Sequence, residues 1–181
     1  MKRFLLFICI LSLTIACQRK KYDPQEYEVG SNFNHYIEED NLRDQCLTFL
    51  YYCDKNRTED LKVFARDWLR TWKEWETEGV RNIGNTLSCL ISPKSRYNHK
   101  SVYFSVRKDS IPPVFEGELW LFKTDYEDLV SVVQNEFGDP DDETETQYGT
   151  MYNWFISENE TIYTFPKSGS VEFGIKYILE Q

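Results

Sequence analysis

Apolar residues recur at steps of three and four from about Asp40 to Trp75, and at steps of two from Thr86 onward. The first spacing belongs to helices and the second to half-buried strands. Leu42, Cys46, Phe49, Leu50 and Cys53 mark one helix face. Thr58-Glu59-Asp60 then opens a second helix, with a stripe of Leu61, Phe64, Ala65, Trp68, Trp72 and Trp75 and a stop at Gly79. Asp67, Arg70, Lys73 and Glu74 fall largely away from that stripe, so its tryptophans are expected in the core. Asn56-Arg57 is a short connection, and an antiparallel helix pair follows.

Thr86 to Ile91 reads as a strand closed by Ser92-Pro93, and Val102, Phe104 and Val106 alternate in the next. After Ile111-Pro112-Pro113, Phe115, Leu119 and Leu121 alternate with Glu116, Glu118, Trp120 and Phe122. One face of that strand is apolar, and the other mixes acids with aromatic rings. Thr124-Asp125-Tyr126-Glu127 fits a capping box, and Leu129, Val132, Val133 and Phe137 form the face of the helix it opens. Gly138 and Pro140 end that helix. Asp139 to Glu145 is an acidic loop. Three strands follow: one with Tyr152, Trp154 and Ile156, one from Ile162 to Phe165, and one with Val171, Phe173, Ile175 and Tyr177. The expected fold is α+β: an N-terminal helix pair, then an antiparallel sheet of about five to six strands with one helix packed on it, in the order β-β-β-α-β-β-β.

The beginning of the chain has another character. Lys2 and Arg3 precede thirteen uncharged residues, Phe4 to Ala16. A membrane span needs about 20 apolar residues, so this run reads as a secretory signal. Its ending, Leu13-Thr14-Ile15-Ala16-Cys17, resembles the lipobox of bacterial lipoproteins, with Thr14 where Leu is usual. The resemblance implies cleavage before Cys17 and a diacylglyceryl group on that cysteine. Acyl chains bind bilayers by about 0.8 kcal/mol per buried methylene, so two or three would hold the protein there durably. Gln18 in place of Asp implies, by the same resemblance, the outer rather than the inner membrane. Residues 1–16 are then the signal, residues 17–34 a polar tether carrying Arg19-Lys20-Lys21, and residues 35–181 a single domain with its helical part at about 40–77.

Cleavage would leave 165 of 181 residues and move the formal charge from −9 to −11. Nucleic-acid binders show a basic footprint, so no nucleic-acid partner is expected. Three cysteines remain in the domain. Cys46 and Cys53 lie seven residues apart, about 10 Å along a helix, too far for a bridge. Cys89 could pair with Cys46 or Cys53, or all three could be buried thiols.

Catalytic patterns are missing from the sequence. His35 and His99 have no nucleophile motif beside them, and there is no nucleophile elbow, P-loop or dinucleotide fingerprint. Asp139, Asp141, Asp142 and Glu143 lack the spacing of a calcium loop. No cofactor or metal is expected. A carboxylate pair is set by space and cannot be picked from the sequence. From Leu129 to Phe155 the chain resembles small envelope lipoproteins of the barrel-assembly (BamE-like) type, through Phe137-Gly138-Asp139-Pro140 and Tyr152-Asn153-Trp154-Phe155. That family places two helices directly before the meander, whereas here strands precede one helix. The expectation is a non-catalytic, lipid-anchored protein-binding module of the bacterial envelope, such as an immunity protein against a toxin. The alternative is a structural lipoprotein of envelope assembly or maintenance. Trp120 and Phe122 are the candidate partner patch, the alternative being that the helix pair covers them.

Overall fold

A computed structural model describes residues 41–95 and 99–179. The signal, Cys17, the tether and His35 lie outside these residues. Helix α1 spans Leu42–Asn56 and α2 spans Leu61–Thr71. Both begin where a short polar side chain replaces the missing intrahelical acceptor. The Asn41 side chain accepts from the Asp44 amide at 3.3 Å. Asp60 Oδ1 accepts from the amides of Lys62 and Val63 at 3.1 and 3.2 Å.

Eight strands make one antiparallel sheet. Four precede the remaining helix: β1 Trp75–Ile83, β2 Thr86–Pro93, β3 Lys100–Arg107 and β4 Val114–Leu121. Helix α3, Tyr126–Phe137, comes next. It leads to β5 Asp142–Thr146, β6 Gly149–Ser157, β7 Glu160–Lys167 and β8 Ser170–Ile178. The spatial order is β1-β2-β3-β4-β8-β7-β6-β5. The sheet is thus two four-strand meanders that meet where β4 pairs with β8.

The three helices of the described residues cover the same face. Phe49 of α1 packs on Phe104 and Phe173, and Phe64 of α2 packs on Phe104 and Phe115. Leu129, Val133 and Phe137 of α3 join the same core. Gly117 allows the close approach of α1. A Cβ there would lie 3.1 Å from Cys53 Sγ and 3.2 Å from Cζ of Phe49. The Trp154 indole donates to the Gly138 carbonyl at 2.8 Å, tying the end of α3 to β6.

The α+β class and the helix pair agree with the sequence pattern, but the element list needs four corrections. The second helix ends at Thr71, with Trp72 as its C-cap. Trp75 opens a strand. Trp68, Trp72 and Trp75 keep helical spacing yet are all buried, because the chain turns sharply and lays Trp75 edge-on to Trp68 at 5.8 Å. Gly79 does not stop a helix. It sits at φ +97° within β1, where the pairing with β2 shifts register. The acidic loop is partly strand β5, and the sheet has eight strands rather than five or six. Edge strands tolerate charge, which discourages further pairing, so neither edge shows apolar alternation. Finally, Asp125 rather than Thr124 is the N-cap of α3, and it makes no side-chain cap bond.

Candidate functional site

The sheet face turned away from the helices carries a network of acids, lysines and aromatic rings. Side chains on a strand alternate between faces, so Glu116, Glu118 and Trp120 point outward while Phe115, Leu119 and Leu121 enter the core. The antiparallel register then sets three rows across β3, β4, β8 and β7. Ser105, Glu116, Lys176 and Thr161 form one, and Tyr103, Glu118, Gly174 and Tyr163 the second. Ser101, Trp120, Glu172 and Phe165 form the third. Glycine in the middle row has a reason. A Cβ on Gly174 would fall inside the Tyr163 ring, which lies across that position.

The acids, the lysines, Trp120 and Tyr163 of the network all find partners. The Trp120 indole donates to Glu118 Oε2 at 2.6 Å. Tyr163 donates to Glu116 Oε1 at 3.1 Å, and Lys176 Nζ lies 3.3 Å from the same oxygen. Lys167 pairs with Glu172 and lies 3.9 Å from Glu118. Its ammonium also stands 5.1 Å from the centre of the Trp120 ring and 5.6 Å from that of Phe165. Tyr103 stacks on Trp120 at 5.7 Å.

Glu172 is only 1 % exposed. Burial, and next the charge of Glu118, push its carboxyl up from an ordinary 4.5 to about 7. Glu118 is raised as well, mainly by burial. Desolvation penalises the charged form, and neighbouring carboxylates add to it. Burial likewise pushes the Tyr163 hydroxyl upward, with Glu118 next among the causes.

Trp120 therefore lies where the strand pattern places it, on the mixed face, and it is half-buried in this network. Phe122 lies just past the end of β4 and is 44 % exposed. Neither is covered by the helix pair. The residues missed at sequence level are Glu118, Glu172 and Lys167. Glu116, Glu118 and Trp120 share one strand face in the sequence, but only the β4–β8 and β8–β7 registers bring Glu172 and Phe165 beside them.

The cysteines belong to the opposite face. Cys46, Cys53 and Cys89 are buried free thiols. Cys53 abuts Gly117, whereas Cys89 sits across from Phe104, itself across from Gly117. Two strand spacings of about 4.8 Å separate the rows, with the Phe104 ring between, so Cys89 does not bridge to Cys53. Burial raises the Cys46 and Cys53 thiols well above their ordinary value, which keeps them in the unreactive thiol form. Compared with protein-family models, curated proteins and solved structures, the chain matches none.

Proposed function

We propose that the chain is a lipid-anchored, non-catalytic protein-binding module of the bacterial envelope, held by lipid on Cys17, whose partner docks on the open sheet face around Trp120. An immunity or inhibitor protein has this form. The carrying observation is the asymmetry of the sheet. The three helices of the described residues pack on one face, while the other offers Trp120, Tyr103 and Phe165 half-buried in a polar frame. Partner hot spots favour such aromatic anchors, fixed in place before binding. The lipobox-like Leu13-Thr14-Ile15-Ala16-Cys17 supports the anchor, and the acidic charge argues against nucleic acid as the partner.

Affinity capture from native membranes tests the reading. The full-length protein should retain a defined protein partner, and Trp120→Ala should lose it while still folding. Identical capture by both proteins would overturn the docking face. The anchor has a separate test: Cys17→Ser should abolish palmitate labelling and membrane retention, and unchanged labelling would exclude lipidation at Cys17.

A further inference from the structure

Lys167 is placed as a ligand would be. Its ammonium is bordered by the rings of Trp120 and Phe165 and by the carboxylates of Glu118 and Glu172. Rings and acids together make the standard receptor for an ammonium ion, because the ring faces and the carboxylates both present negative potential. The lysine enters from the hairpin between β7 and β8, and its side chain keeps 36 % exposure, so it can leave into solvent without disturbing the strands. The network is also short of positive charge. Three carboxylates, Glu116, Glu118 and Glu172, face two ammonium groups, Lys167 and Lys176, and Lys176 serves Glu116. Burial raises the carboxyls of Glu118 and Glu172, and the neighbouring carboxylates raise them further.

We infer that Trp120, Phe165, Glu118 and Glu172 form a receptor for a primary ammonium group, filled in the isolated chain by Lys167 and exchanged for a lysine side chain of the partner. This rests on the reading of the open face as the docking surface. Lysine is favoured because the present occupant is a lysine ammonium at ion-pair distance from Glu118 and Glu172. An internal ligand competes at a high effective concentration. A partner lysine therefore succeeds only with added contacts, and the stacked rings of Tyr103 and Trp120 beside the cage offer them.

The test empties the cage and offers a small probe. Full-length Lys167→Ala protein is melted in methylammonium chloride and in sodium chloride at equal ionic strength. Methylammonium should raise its Tm saturably, with no such rise in the wild-type protein or in the Lys167→Ala/Glu172→Gln double variant. Lys167→Ser empties the cage in the same way, keeps a polar side chain beside the hairpin, and serves where the alanine variant does not fold. Equal melting of the Lys167 variants in the two salts would overturn the receptor. No partner is needed for this experiment, so it separates the two readings. A flat response with Trp120-dependent capture overturns the cage and leaves the docking face standing. A saturable response with capture indifferent to Trp120 supports the cage and overturns the docking face.

Discussion

The two faces of the sheet solve the problem of buried polar atoms in opposite ways. On the covered face, the indole N–H groups of Trp68 and Trp75 and the hydroxyl of Tyr177 are buried with no hydrogen-bond partner among the described residues. Packing holds the Trp68 ring, which touches Phe49, Tyr52, Phe64, Trp72, Trp75 and Phe104. On the open face, the Trp120 indole and the Tyr163 hydroxyl both donate to carboxylates, and both lysines are paired. Apolar burial is non-directional and tolerates an orphaned donor at about 1–3 kcal/mol each. A polar network fixes each atom, because a partly satisfied one is costly. The covered face is therefore built for stability. The open face is built to hold particular side chains in one arrangement.

The largest effect should come from the covered face. Trp68 is fully buried at the junction of α1, α2 and β3. Truncating a buried aromatic ring costs about 3–5 kcal/mol. Trp68→Ala also removes an unpartnered indole N–H, so its cost should lie near the lower end, about 3 kcal/mol. Urea unfolding should show this as a lower midpoint at unchanged slope. A loss under 1 kcal/mol would mean that stability is not concentrated under the helices.

Much of the covered face was legible in the sequence, and the physical reason is periodicity. The stripe from Leu61 to Trp72 and the alternation through Val171, Phe173, Ile175 and Tyr177 each bury one side against the core, so each leaves a regular trace. The edges left weaker traces. Strand β1 carries a bulge and little apolar alternation, and β5 is Asp-Glu-Thr-Glu-Thr. A usable signal for β1 was the Gly84-Asn85 pair between Ile83 and Thr86, a two-residue hairpin turn with Gly84 at φ +61°. The open face was only half legible. Alternation put Glu116, Glu118 and Trp120 together, but the pairing of β4 with β8 joins residues 50 to 64 positions apart, and no local pattern encodes it.

The next effect tests the open face through pH. The fold raises the Glu172 carboxyl from 4.5 to about 7, so between these values the folded chain holds a proton that the unfolded chain has released. Stability must fall as pH rises through this window, because the folded state binds more protons. The penalty is absent below about 4.5 and complete above about 7. A shift of this size corresponds to about 3 kcal/mol at most, and sharing of the proton with Glu118 brings the expected loss to about 1–2 kcal/mol. Glu116, Glu118, Lys167 and the Tyr163 hydroxyl all face this group, so the comparison is made with Glu172→Gln in the same frame. Chemical unfolding at pH 4.5, 6 and 7.5 should give the wild-type protein a steeper decline than the variant. Parallel curves would show that burial of Glu172 carries no such penalty.

The smallest effect should come from Phe122, and it decides how far the open face extends. Phe122 lies two residues beyond Trp120, just past the end of β4, and 44 % of it meets solvent. Its backbone amide is bound to the His99 carbonyl at 2.9 Å, a bond that does not depend on the side chain. Substitutions outside packed or polar clusters stay within about 0.5 kcal/mol, so Phe122→Ala should leave the unfolding midpoint almost unchanged. Because the ring is not fixed by its neighbours, it must lose rotamer freedom on binding, at a cost of about 0.5–1.5 kcal/mol that the framed Trp120 avoids. Capture of the partner should therefore weaken far less for Phe122→Ala than for Trp120→Ala. An equal loss for both, with Phe122→Ala still fully stable, would move the centre of the docking face from the polar network to the end of β4.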